Sequence, residues 1–288
     1  MARLVGHPAH GNRLTRVESA PSPAMARRVA AYLMLPREHG AWAMLLVPYI
    51  LGTAAAGWPG WPSLLLIASM LLLFTASRPM ELALQTHGAG AVARLAIYTV
   101  LGLASGVGLL VVFGRWLLVP LAAVAGAVLA AQLLLRRRRL DRTWQVRLVS
   151  IAALSAAGPA AYYASSGAWD TRALAVWGLA FLHSGASVFH VRLYYRPPAG
   201  NRSAVEDRML AERRMIAYVV AAIAAVAGLA LVGLFPPLGV VALLPLAVKT
   251  VVACRNRASR PTLKEIGAAE VAHSALFLLL AAVAMSFW

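Results

Sequence analysis

The chain is dominated by apolar stretches of 17 to 21 residues that short polar connections separate. An α-helix rises about 1.5 Å per residue, so about 20 apolar residues are enough to cross a hydrocarbon layer about 30 Å thick. Hydrophobic residues make up 61% of the sequence, well above the roughly 45–50% of a soluble domain. The sequence therefore predicts an all-α polytopic membrane protein.

We predict nine transmembrane helices, which together form one domain over residues 36–288. The spans lie near 39–57, 60–78, 93–113, 116–135, 147–165, 172–191, 215–235, 237–253 and 268–288. Residues 1–35 are polar and basic and lack the apolar stretch of a signal peptide, so they are predicted to form a disordered cytoplasmic tail. Met25 is an alternative start site.

The basic residues predict the orientation of these spans. Of 27 lysine and arginine residues, all but Arg115 and Arg172 lie in the N-terminal tail or at the connections that follow even-numbered spans. Positively charged loops stay in the cytoplasm, so the N-terminus is predicted inside and the C-terminus outside. The same rule explains the net charge of +17 without nucleic acid. We expect a multi-pass protein of the bacterial cytoplasmic (inner) membrane, with membrane lipids as partners.

Cysteine and histidine usage predicts no metal site. Cys254 is the single cysteine, which excludes an intrachain disulfide and a thiolate cluster. The histidines are spread over several spans without a helical His-x₃-His pair. Haem or another cofactor bound by histidines stays open as an alternative, and no cofactor is assigned.

The sixth span carries a polar stripe. His183 is placed near the middle of the membrane, and Ser187, His190 and Tyr194 follow it at helical spacing, which puts all four on one face. An ionisable side chain inside a span costs several kcal/mol and is by default a functional hypothesis. The simpler interpretation is that His183 only donates a hydrogen bond to a neighbouring helix.

Further ionisable residues cluster at the predicted cytoplasmic ends of other spans. They are Arg37, Glu38 and His39 in span 1, Arg78 and Glu81 in span 2, Lys249 in span 8, and Glu270 with His273 in span 9. In a helical bundle these side chains converge on one cytoplasm-facing pocket, with His183 as its deepest member. Basic residues at such positions can instead extend towards lipid phosphates.

Three segments carry a resemblance to a known family. They are PREHGAWAMLLVPYILG at 36–52, SRPMELALQ at 77–85 and FHVRLYYR at 189–196. These segments resemble the YwiC-like family of bacterial membrane proteins, whose biochemical role is undetermined.

The chain is also similar, more distantly, to the UbiA prenyltransferase superfamily. That resemblance implies a nine-helix bundle with polar loops after helices 2 and 6 and a pocket that opens to the cytoplasm. In the superfamily these loops carry Asp-rich motifs that hold Mg²⁺ and an isoprenyl pyrophosphate. Here the first loop offers only Glu81 and the second offers no carboxylate before Glu206 and Asp207. Because magnesium needs several carboxylates, the implied prenyl transfer does not follow.

Two functions remain open from sequence. The first is a divergent UbiA-like enzyme acting on an amphipathic lipid, isoprenoid or quinone-like substrate. Its acid–base candidates are Glu81, His190 and His273; its substrate-binding candidates are Arg37, Glu38, His39, Arg78, His183, Arg192, Arg196, Lys249 and Glu270. The second is a non-catalytic transporter or a cofactor- or haem-binding protein that uses the stripe from His183 to His190.

Overall fold

In this computed structural model, apolar runs form the helices and prolines interrupt two of them. The structure describes residues 39–57, 59–86, 89–137, 143–194, 202–255 and 262–288. Arg37, Glu38, Arg196 and the predicted N-terminal tail lie outside these residues. Within the described residues every regular element is a helix.

The helices follow one another along the chain with short connections. They are α1 (His39–Ala55), α2 (Trp61–Thr86), α3 (Ala89–Phe113), α4 (Leu118–Arg137), α5 (Trp144–Ser155), α6 (Ala157–Ser166), α7 (Thr171–Tyr194), α8 (Arg202–Leu231), α9 (Gly239–Ala242), α10 (Leu244–Arg255) and α11 (Leu263–Ser286).

Two predicted spans are each broken by a proline. Pro159 lies four residues after Ser155, the last residue of α5, and Pro245 lies four residues after Val241 in α9. A proline lacks the N–H that would bond to the carbonyl four residues earlier, and its ring crowds that carbonyl. Each helix is therefore interrupted by a single turn residue before it continues.

All nine predicted spans coincide with a helix or a broken helix. In the described part of the chain, six helical segments are long and apolar enough to cross a membrane: Trp61–Leu84, Ala89–Phe113, Trp144–Ser166, Thr171–His190, Arg208–Leu231 and Glu265–Ser286. Two others, Trp42–Ala55 and Leu118–Gln132, are apolar but shorter. Helices α9 and α10, which Leu243 separates, together run from Gly239 to Arg255.

The bundle has a packed centre and an exposed flank. Helix α1 packs against α6, α7 and α11, and an apolar cluster that includes Leu51, Val176 and Phe277 fills the space between these helices. By contrast, many large apolar side chains of α3 and α4 are exposed, among them Val111 at 69% and Val124 at 62%. Such a surface is compatible with lipid contact.

The connections predicted to face outward lie together. Arg115, between α3 and α4, donates a hydrogen bond from Nε to the carbonyl oxygen of Ala164 near the end of α6 (3.2 Å). Next to it, the Tyr162 hydroxyl donates to Asp170 Oδ2 (2.8 Å) in the connection to α7. Arg115 therefore holds the α3–α4 connection against the α6–α7 connection at one end of the bundle.

Candidate functional site

Three ionisable side chains from three helices meet in the half of the bundle opposite Arg115. They are His190 near the C-terminal end of α7, Lys249 in the middle of α10 and Glu270 in the second turn of α11. Helix α11 contacts α10 and α7, which brings residues 80 positions apart in sequence to one place. We call His190, Lys249 and Glu270 the charged triad.

A single carboxylate oxygen links the triad. Lys249 Nζ donates a hydrogen bond to Glu270 Oε1, and His190 Nε2 lies 3.9 Å from the same oxygen. The His190 distance is too long for a hydrogen bond but short enough for an ion pair when the imidazole is protonated. Glu270 Oε1 is thus placed between two groups that can carry positive charge.

The triad is buried unevenly. The side chains of His190 and Lys249 are 4% and 8% exposed, whereas Glu270 keeps 32% of its side chain exposed. Phe189 of α7, Met215 of α8 and Leu246 of α10 belong to one buried apolar cluster. Burying an ion without a partner costs several kcal/mol, so the Glu270 carboxylate offsets the cost of burying the Lys249 ammonium.

A second polar contact lies deeper in α7. His183 Nε2 is 3.3 Å from Ser274 Oγ on α11, and its ring stacks on Phe277 with 3.9 Å between centroids and 6° between planes. Its Nδ1 is buried and has no hydrogen-bond partner among the described residues. Since His183 precedes His190 by seven residues, it lies about 10 Å further along the helix.

Part of the polar stripe predicted on α7 faces α11. His183 contacts Ser274 and His190 approaches Glu270. Ser187, however, donates its hydroxyl hydrogen to the carbonyl oxygen of Ser184 on the same helix (2.7 Å). Of the stripe's side chains that the structure describes, His183 and His190 contact α11; the side chain of Tyr194 lies outside those described.

The structure pairs Glu270 differently from the sequence pattern. Glu270 and His273 share a helix face by spacing, yet Glu270 contacts Lys249 and His190, and His273 donates from Nδ1 to the carbonyl oxygen of Ala269 (2.7 Å). Periodicity within one helix defines a face but not the neighbouring helix that the face meets.

The remaining predicted site residues lie on helices whose side-chain positions are described in part. Arg78 is exposed near the C-terminal end of α2. Glu81 lies one turn further along α2, His39 is the first residue of α1, and Arg192 lies on the last turn of α7. Nothing in the structure tests their assigned roles, which stay predictions.

Sequence reasoning missed two residues that complete the site. Ser274 and Phe277 follow Glu270 at four and seven residues, the spacing of one helix face, and both contact His183. The signal was present, because the series Glu270, Ser274, Phe277 repeats the spacing of His183, Ser187, His190 on α7. The two stripes become a pair only when α7 and α11 are known to be neighbours.

Metal binding receives no support from the described part of the chain. No group of three or more His, Cys, Asp or Glu side chains there is arranged to hold a metal ion. What the triad can do is hold a polar or charged group against Lys249 and exchange protons through His190 and Glu270.

The chain was compared with known proteins. No curated protein matches it, and no solved structure matches it. A family model described as YwiC-like protein matches residues 35–162, a stretch that begins just before α1 and ends within α6. The resemblance predicted from the segments at 36–52 and 77–85 is confirmed, because the chain is similar to the YwiC-like family over residues 35–162. The third segment, at 189–196, lies outside the matched residues.

Proposed function

We propose that this protein is a nine-span protein of the bacterial cytoplasmic membrane, with a UbiA-like bundle, that binds an amphipathic molecule through the charged triad. The N-terminus is cytoplasmic and the C-terminus lies outside. A lipid, isoprenoid or quinone-like ligand places its polar head at His190, Lys249 and Glu270 and its tail among the helices. The triad opens to the cytoplasmic face.

The observation that carries this proposal is the burial of His190 and Lys249 against Glu270 between three apolar helices. An ionisable group inside a span is expensive and is retained where it binds a substrate or moves a proton. The exposed third of Glu270 gives a ligand access from one side. A lysine that only interacts with lipid phosphates would extend towards the interface, whereas Lys249 is turned inward.

The proposal includes an enzymatic role on the bound head group. Lys249 holds the head, and His190 acts as the general acid–base because its Nε2 faces Glu270. His273 is a second candidate, since donation from Nδ1 to Ala269 leaves the Nε2 lone pair as a base. Glu81 is the third candidate. The predicted binding set also includes Arg37, Glu38, His39, Arg78, Arg192, Arg196 and His183.

A test begins with the molecules that purify with the protein. The full chain is purified in an uncharged detergent, and bound molecules are identified by mass spectrometry and absorbance. We expect an amphipathic lipid or quinone that is depleted in Lys249→Met. Arg147→Met is the control, because it removes a cation from an exposed position of α5. Equal recovery from both variants would contradict the proposal, and so would a bound haem.

A second function, proton-linked transport, is favoured by one separate observation. The contact between His183 and Ser274 places a titratable group about 10 Å deeper than the triad, as a proton or substrate path requires. Transport predicts that proton-linked uptake of a substrate into proteoliposomes fails in His183→Phe, while the lipids that purify with the protein are unchanged. The enzymatic proposal predicts no such uptake by the unmodified protein or by His183→Phe.

A further inference from the structure

We propose that Glu270 is a built-in counter-ion that an anionic head group replaces on Lys249, and that the site takes up one proton together with the anion. The inference rests on the proposed function, because it concerns the head group of the same amphipathic ligand. The head group is anionic, and its binding is accompanied by displacement of Glu270 from Lys249 and uptake of one proton.

Glu270 links the other two members of the triad. Its Oε1 atom is the acceptor for Lys249 and is also the oxygen that faces His190 at 3.9 Å. The carboxylate is the most exposed member of the triad, at 32% against 8% for Lys249. Glu270 therefore occupies the position from which an incoming anion would approach the buried ammonium group.

With Lys249 protonated, Glu270 ionised and His190 neutral, the triad carries no net charge. An anion added to this set would leave an uncompensated negative charge among apolar helices, which costs several kcal/mol. One anion and one proton together restore neutrality. Binding the two together is therefore the route that avoids a net buried charge.

The proton has a defined place within the triad. It is held between His190 Nε2 and Glu270 Oε1, as an imidazolium facing a carboxylate or as a neutral imidazole beside a carboxylic acid. Either form releases Lys249 from Glu270 without creating an unpaired charge. Lys249 is then paired with the anionic head group.

Among the described residues, other ionisable groups on the helices around His190 have partners of their own or are exposed. On α7 and α11, His183 contacts Ser274 and His273 is bonded to Ala269. On α8, which packs on α7, the Tyr218 hydroxyl donates to the carbonyl oxygen of Leu182 (3.0 Å) and Glu212 is paired with Arg208.

On α5, Arg147 is exposed. The described ionisable side chain of α1 is Tyr49, bonded to Ser63 on α2. On α6, Tyr162 is bonded to Asp170 at the far end of the bundle. Among the described carboxylates, Glu270 is the one that faces both Lys249 and His190.

The mechanism predicts a preference for one negative charge. A monoanionic head satisfies Lys249 with a single proton, a zwitterionic head brings its own positive charge, and a neutral head cannot displace Glu270. Tail contacts add apolar burial, worth about 25 cal/mol per Å². A small anion without a tail should therefore bind more weakly than an anionic amphiphile.

Titration calorimetry of the full chain in an uncharged detergent tests these points. The probes are short-chain phosphatidylglycerol, short-chain phosphatidylcholine and dimethyl phosphate, which differ in head charge and in the presence of a tail. Repeating each titration in two buffers of different ionisation enthalpy measures the protons taken up. We expect phosphatidylglycerol to bind with uptake of about one proton, and its affinity to fall about tenfold per unit rise in pH.

A matched pair of variants tests the role of Glu270. Glu270→Gln removes the counter-ion and should strengthen phosphatidylglycerol binding about tenfold or more while it abolishes proton uptake. Glu265→Gln removes the same charge five residues earlier on α11, where the capping box with Thr262 also accepts glutamine, and should bind like the unmodified protein. If Glu270→Gln fails to fold, proton uptake by the unmodified chain still decides the question.

The outcomes separate the two proposals. Binding of phosphatidylglycerol and phosphatidylcholine with equal affinity and no proton uptake would overturn the counter-ion exchange and leave the amphipathic ligand intact. Weaker anion binding in Glu270→Gln would also overturn it. If neither amphiphile binds, the counter-ion exchange is overturned, and the molecules that purify with the protein decide the proposed function. Tight binding of dimethyl phosphate would identify a site for small anions and would reject the amphipathic ligand.

Discussion

Gly52 of α1 and Gly158 of α6 meet backbone to backbone. A methyl group added at Gly52 would overlap the carbonyl oxygen of Gly158, and one added at Gly158 would lie 2.6 Å from Val176 Cγ1 on α7. Three central helices thus cross at a point where only the absence of side chains permits the approach. This crossing lies between the apolar clusters on either side of α1 and fixes α7, which carries His183 and His190.

Replacing Gly52 with alanine should destabilise the bundle. The added methyl group meets backbone atoms that cannot rotate away, and overpacking of this kind costs about 1–3 kcal/mol or more. We expect a clearly lower midpoint in thermal unfolding followed by tryptophan fluorescence in detergent. Gly228→Ala is the control, because an added methyl group there has open space, and alanine favours the helix by about 1 kcal/mol. Equal midpoints for the two variants would contradict the close crossing.

Removing one partner of the Lys249–Glu270 pair should cost more stability than removing both. Lys249→Met leaves the Glu270 carboxylate beside apolar groups, and Glu270→Gln leaves a buried ammonium group. The double variant carries no buried charge, so a double-mutant cycle should give a coupling of about 1–3 kcal/mol. Unfolding midpoints of the four proteins provide the measurement. Additive effects would show that the two side chains do not interact.

The hydrogen bond of Ser274 should stabilise the position of His183. Ser274→Ala leaves the buried His183 Nε2 without its contact at 3.3 Å, which costs about 1–3 kcal/mol. Ser105→Ala serves as the comparison, since that hydroxyl donates to Leu101 of its own helix at an exposed position. The midpoints of thermal unfolding distinguish the two variants. An equally small fall in both midpoints would show that Ser274 does not stabilise His183.

The proposed orientation can be tested by labelling. In a chain whose Cys254 is replaced by serine, a cysteine at exposed Ala168 should react with a membrane-impermeant maleimide in spheroplasts. A cysteine at exposed Thr143 should react only in inverted vesicles. The two residues belong to successive connections, so they lie on opposite sides if the segment Trp144–Ser166 crosses the membrane. The reverse pattern would invert the topology, and labelling of both from one side would reject the crossing.

Much of the secondary structure could be predicted from the chain because each helix satisfies its own backbone. A run of about 20 apolar residues must form helix in lipid, where unpaired N–H and C=O groups cost several kcal/mol each. The same local reasoning fails to divide the span at 147–165 into α5 and α6. Pro159 was visible there, but a proline bends one helix and breaks another according to what packs beside it.

The order of residues is enough to predict that the chain is helical and apolar and that His183, His190, Lys249 and Glu270 are unusual within it. Each of those conclusions depends on residues close together in the chain. The packing of the helices is needed to show that Lys249 pairs with Glu270, that His183 contacts Ser274 and stacks on Phe277, and that α1 and α6 touch at two glycines. Those contacts depend on which helices are neighbours, and that is set by the packing of whole helix faces rather than by the spacing along any one of them.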